Sequence, residues 1–153
     1  MGNTTYVGLG DPVREFEILT VYVRELVAMQ SECTPMGADD AAIGIALDGL
    51  ETAAYHFTRR RHFYHAVREY TQEARRTNHR LQDRAEAIKA FKDLAGYHAG
   101  LNALQQKCRP FGRDYLALDI AKQGLETAAY HFTRHAAFYG LKGDGAGPAT
   151  PTF

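Results

Sequence analysis

Seven histidines, two cysteines and a run of arginines are the residues of this 153-residue chain best suited to chemistry. His131 and His135 stand four residues apart, and His62 and His65 stand three apart. On a helix either spacing puts two imidazoles on one face, where they could share a metal ion. The first copy of the repeat described below has Arg60 where His135 falls, and the second has Ala137 where His62 falls. A di-iron centre in a helical bundle needs two Glu-x-x-His motifs, and the chain has no Glu-x-x-His. His56 and His131 flank an apolar stripe and read as hydrogen-bonded edge residues. Cys33 and Cys108 have no histidine or cysteine companions nearby and read as small packed apolar residues. Neither a Ser-His-Asp nor a Cys-His arrangement stands out, and no Gly-rich phosphate loop matches a known pattern. The sequence therefore assigns no metal, no cofactor and no catalytic residue, with a small metal-binding helical protein using the bundle histidines as an alternative.

Residues 59–84 hold eight arginines against Glu69, Glu73 and Asp83. His62, His65 and His79 and the aromatics Phe63, Tyr64 and Tyr70 are interleaved with them. Arginines mixed with aromatics can bind phosphates and stack bases. Nucleic acid is thus one alternative partner, with Arg60, Arg61, Arg68, Arg75, Arg76 and Arg80 as the contacts. Against it, the formal net charge is zero, whereas nucleic-acid-binding domains are usually strongly basic. Arg60 and His65 also resemble the Arg-x4-6-His element of small helical RNases of the HEPN type. That resemblance implies RNA cleavage as a further alternative.

The most informative feature is a repeat. The string GLETAAYHFTR occurs at 49–59 and again at 124–134, and segments 11–64 and 86–139 share 26 identities at an offset of 75. Such a period identifies a duplicated supersecondary unit. At 100° per residue, Leu50, Ala53, Ala54 and Phe57 fall on one side of a helix. Glu51, Tyr55 and Arg59 fall opposite, and the second copy repeats them as Glu126, Tyr130 and Arg134. Core packing accounts for the first set only. Surface positions tolerate change, and tyrosine and arginine are enriched in protein interfaces. The sequence thus predicts a contact surface for a protein partner or for a second copy. A recent duplication, or plain helix-surface pairing of Glu51 with Arg59, would leave the same pattern.

These residues must be positioned by helices. Asp11-Pro12 is a helix start, and Phe16, Leu19, Tyr22, Leu26 and Gln30 follow at helical spacing to a stop near Cys33. A turn over residues 33–37 leads to Asp39 as a second N-cap; Asp114 stands at the same place in the second copy. Ile43, Ala46, Leu50, Ala53, Ala54, Phe57 and Tyr64 then form one stripe, copied at 118–139. Strand alternation is missing. The expected fold is all-α: an antiparallel four-helix bundle of two tandem helical hairpins about a pseudo-two-fold axis. One domain spans 1–142, with repeat 1 at 11–64, a basic arm at 65–85 and repeat 2 at 86–139. Helices two and three are expected to run on into that arm, with a break at Thr77-Asn78. The Gly/Pro-rich tail, 143–153, is expected to be disordered.

The first twelve residues lack the basic start and apolar stretch of a secretory leader, and no apolar run is long enough to cross a bilayer. Two cysteines do not make a disulfide framework. The expectation is therefore a cytoplasmic, non-enzymatic recognition protein without a membrane partner.

Overall fold

The computed structural model describes residues 6–73 and 83–140. The tail 143–153 and the expected break at Thr77-Asn78 lie outside the described residues. Among the described residues the secondary structure is all-helical: α1 (Pro12–Ile18), α2 (Thr20–Gln30), α3 (Ala38–Thr58), α4 (His65–Glu73), α5 (Arg84–Lys92), α6 (Ala95–Gln106) and α7 (Arg113–Thr133).

Local chemistry sets the ends of these helices. Asp11 Oδ1 accepts from the Arg14 amide at 3.2 Å, and Pro12 opens α1. Pro35 and Met36 are the central residues of a turn closed by the Gly37 amide on Thr34 O at 3.0 Å. Met36 has φ 68°, as the third residue of a type II turn requires. The second turn repeats this, with Gly112 on Arg109 O at 3.0 Å and Phe111 at φ 62°. The N-caps are Gly37 and Gly112, not the expected Asp39 and Asp114, which lie inside the first helical turns. Their carboxylates are engaged elsewhere, by histidines of the opposite copy.

Two expected helices are each divided. The first breaks at Leu19, between α1 and α2, and its counterpart breaks at Asp93-Leu94, between α5 and α6. Tyr64 OH donates to Phe16 O at 2.6 Å, and Tyr139 OH donates to Phe91 O at 2.6 Å. In both places an incoming hydroxyl takes a carbonyl that a continuous helix would use, and such an insertion kinks a helix. Nor does the second helix run on into the basic arm. It ends at Thr58 because Arg59 turns left-handed, with φ 62° and its amide on Tyr55 O at 2.8 Å. The chain reverses through residues 60–64, burying Tyr64, before α4 packs on α2.

The core is a single cluster. Phe16, Leu19, Val23, Leu26, Val27 and Met29 meet Ile43, Ala46, Leu47, Leu50, Ala53 and Ala54, and Phe91, Leu94, Tyr97 and Leu101 meet Leu118, Ala121 and Leu125. The most extensive helix contact is between α3 and α7. These two run antiparallel, since Asp39 near the start of α3 meets His131 near the end of α7, and Asp114 meets His56. Their seam is made of glycine and alanine. A Cβ built on Gly49 would lie 2.8 Å from Ile120 O, and one built on Gly124 would lie 2.8 Å from Ile45 O. Only glycine allows the two backbones to come this close.

Candidate functional site

Each residue of the repeated eleven-mer has a definite place. Gly49 forms the seam, and Leu50, Ala53 and Ala54 are fully buried. Glu51 faces sideways and inward: its side chain is only 16% exposed, and Oε2 accepts from the Tyr64 amide at 3.3 Å and from Arg68 Nη1 at 3.4 Å. The second glutamate, Glu126, accepts at 2.8 Å from His98 Nε2. His98 is a buried residue without a counterpart in the first copy, where Val23 stands, and the repeat gave no signal of it. Asn102 lies 3.4 Å from its Nδ1, and its ring stacks on Tyr139. Phe57 packs on Phe16, and Phe132 on Phe91. Thr58 and Thr133 donate back to Ala54 O and Ala129 O and accept from the amides of Arg60 and His135, closing the turn beyond each helix.

The paired histidines tie the copies together. His56 Nε2 is 2.8 Å from Asp114 Oδ1, and His131 Nε2 is 2.7 Å from Asp39 Oδ1. His131 therefore has a carboxylate partner in the other copy, while His135 stacks edge-on with Phe138. Among the described residues no group of three or more His, Cys, Asp or Glu is placed to hold a metal ion.

What remains faces outward. Ala38, Ala41, Ile45, Asp48, Thr52, Tyr55 and Arg59 form an exposed stripe along α3 at spacings of three and four. Its match on α7 is Arg113, Leu116, Ile120, Gln123, Thr127, Tyr130 and Arg134. The exposed stripe thus contains Tyr55, Arg59, Tyr130 and Arg134 but runs through Thr52 and Thr127, with Glu51 and Glu126 on its flank. It carries large apolar groups: Ile45 is 47% exposed, Ile120 48%, Tyr55 38% and Tyr130 47%. Arg59 lies over the Tyr55 ring at 5.7 Å, and Arg134 over Tyr130 at 5.8 Å. Two hollows open on this face. One, about 410 Å³, follows the seam between Ile45, Asp48, Thr52 and Ile120, Gln123, Thr127. The other, about 650 Å³, lies over Tyr130 and is walled by Gln123, Glu126, Thr127, Arg134, Ala136 and Ala137.

The basic arm is only partly described. Arg75, Arg76 and Arg80 lie outside the described residues. Arg68 is held by Glu51, Arg61 lies over the Tyr55 ring at 5.4 Å, and Arg60 is exposed. The structure therefore spreads these cations over different surroundings.

Both thiols are buried and free. Burial first, then Asp39, Asp40 and Glu32, push the Cys33 thiol up to about 12. Burial likewise raises Cys108, with Asp114 adding to the effect and Lys107 opposing it. A thiol held protonated is a poor nucleophile.

No known protein family, curated protein or solved structure matches this chain. No helix among the described residues is long and apolar enough to cross a membrane.

Proposed function

We propose that the chain is a doubled helical hairpin, four helical arms about a pseudo-two-fold axis, acting as a recognition protein. In this reading the axis passes through the Gly49–Gly124 seam, and each broken arm, α1–α2 or α5–α6, counts as one helix. The outer face of α3 and α7 binds a protein partner or a second copy of the chain. One observation carries the reading. Two exposed stripes, side by side on antiparallel helices, place Ile45 and Ile120 at the middle and Tyr55 with Arg59 and Tyr130 with Arg134 at the two ends of a face that no helix of the chain covers among the described residues. Single exposed apolar residues are ordinary, but two half-exposed isoleucines flanked at each end by a tyrosine with its arginine have the make-up of an interface. Tyrosine and arginine are also the side chains whose truncation most often costs binding energy. A face repeated about an axis suits an isologous dimer as well as a separate partner. The reading places the protein in a reducing compartment, the cytosol, where two free thiols persist.

The test is a double variant, Tyr55→Ala with Tyr130→Ala, both at exposed positions. Light scattering and affinity capture from the native cell are compared with the unaltered chain. Loss of self-association or of a captured partner is expected. Unchanged mass together with an unchanged set of captured proteins would refute the reading.

A further inference from the structure

The region around Tyr130 is matched by that around Tyr55 in the first copy, and the two differ in one informative way. The backbone through this region is the same in both. The left-handed caps Arg59 and Arg134 both have φ 62°, and the next left-handed residues, His62 and Ala137, both have φ 54°. In the first copy the chain lays the Arg61 guanidinium over the Tyr55 ring, 5.4 Å from its centroid. In the second copy the residue at the place of Arg61 is Ala136, and the residue at the place of His62 is Ala137. Both alanines line the 650 Å³ hollow. The space that a cationic side chain of the chain itself uses beside Tyr55 is therefore left open beside Tyr130.

We propose that this hollow receives the guanidinium of an arginine carried by a polypeptide partner. The inference rests on the recognition reading above and gives one part of that face a definite occupant. The ring face of Tyr130 attracts a cation placed over it. Glu126 contributes a carboxylate to the wall, kept in place by His98. Arg134 already lies over the Tyr130 ring at 5.8 Å, yet a second guanidinium is compatible with it, because Arg59 and Arg61 share the Tyr55 ring in the first copy. A flat, weakly hydrated guanidinium suits an aromatic face better than an ammonium does.

The probe is the peptide acetyl-Gly-Arg-Gly-amide, with the citrulline peptide as a neutral isostere. Binding is followed through the ring resonances of Tyr55 and Tyr130 by NMR titration. The unaltered chain should show saturable shifts at Tyr130 with the arginine peptide and none with citrulline. Ala136→Arg, which copies Arg61 into the second site, should abolish them. Arg61→Ala with His62→Ala, which copies Ala136 and Ala137 into the first copy, should create a second responding site at Tyr55. Positions 61 and 136 are both exposed, and circular dichroism checks that the variants remain folded. Equal shifts with citrulline, shifts that persist in Ala136→Arg, or no new site in Arg61→Ala/His62→Ala would each overturn the proposal. A change of oligomeric state in Ala136→Arg, with no peptide shifts in the unaltered chain, would assign the hollow to a second copy and overturn it too. If capture of a partner is lost in Tyr55→Ala/Tyr130→Ala but kept in Ala136→Arg, this inference fails while the recognition reading stands.

Discussion

Substituting Gly49 by alanine tests the seam on which the outer face depends. An alanine in a helix interior ordinarily stabilises by about 0.5–1 kcal/mol relative to glycine. Here the added methyl would sit 2.8 Å from Ile120 O and 3.4 Å from Ala121 Cα, both backbone atoms of the facing helix. No side-chain rotation relieves that clash, so α3 and α7 must separate along the crossing. Overpacking of this kind costs about 1–3 kcal/mol. The net expectation is destabilisation by about 0.5–2 kcal/mol, or a fall in Tm of about 2–6 °C for a chain of this size. Gly124→Ala should behave alike, its methyl lying 2.8 Å from Ile45 O. The double variant should cost less than the two separately, since the first methyl already opens the seam for the second. Gly44→Ala is the control in the same helix: its methyl would meet only Gln30 Nε2 at an ordinary 3.6 Å. That variant should be neutral or gain stability. Thermal and urea unfolding followed at 222 nm read all four. A higher Tm for Gly49→Ala, matching Gly44→Ala, would refute the close approach of α3 and α7.

The remaining expectations concern the ties around that face. A double-mutant cycle of His56→Ala with Asp114→Ala should show a coupling of about 0.5–1.5 kcal/mol in urea unfolding, and additive effects would deny the contact. Arg59→Gly and Arg134→Gly should each raise stability by up to about 1 kcal/mol, because glycine relieves a left-handed backbone that arginine resists. Arg134→Gly should at the same time weaken partner capture, so a stabilised variant with full binding would count against a role for Arg134 in the face. Stability should be full below about pH 9 and decline at higher pH, since Cys33 starts from 9.0 when unfolded and is raised to about 12 by folding. Burial raises Tyr64, Tyr97 and Tyr139 in the same direction, so their phenolate absorbance should grow only as the chain unfolds. Native titration of these rings before loss of helicity would contradict their burial.

Much of the architecture follows from local rules. The helical spacing of Phe16, Leu19 and Leu26, and of Ile43, Ala46, Leu50 and Ala53, is carried by single helices, and these residues are all buried. Asp11-Pro12 and the Pro35-Gly37 turn act within four residues of themselves, so they too are visible in the chain. The end of α3 at Arg59 is not, because neither glycine nor proline marks it and arginine seldom takes the left-handed conformation found there.

The sequence by itself determined the helical character of the chain and part of its buried stripe, and it shows the match of residues 11–64 to 86–139. Only the tertiary structure decided what the repeated polar residues face. Periodicity places Glu51 opposite the core but cannot show that the chain returns 13 residues later to put the Tyr64 amide against it. Nor can it pair His56 with Asp114, 58 residues away, or show that alanines at 136 and 137 line a hollow beside Tyr130. A helix period fixes direction about one axis, whereas a partner is fixed by the path of the whole chain.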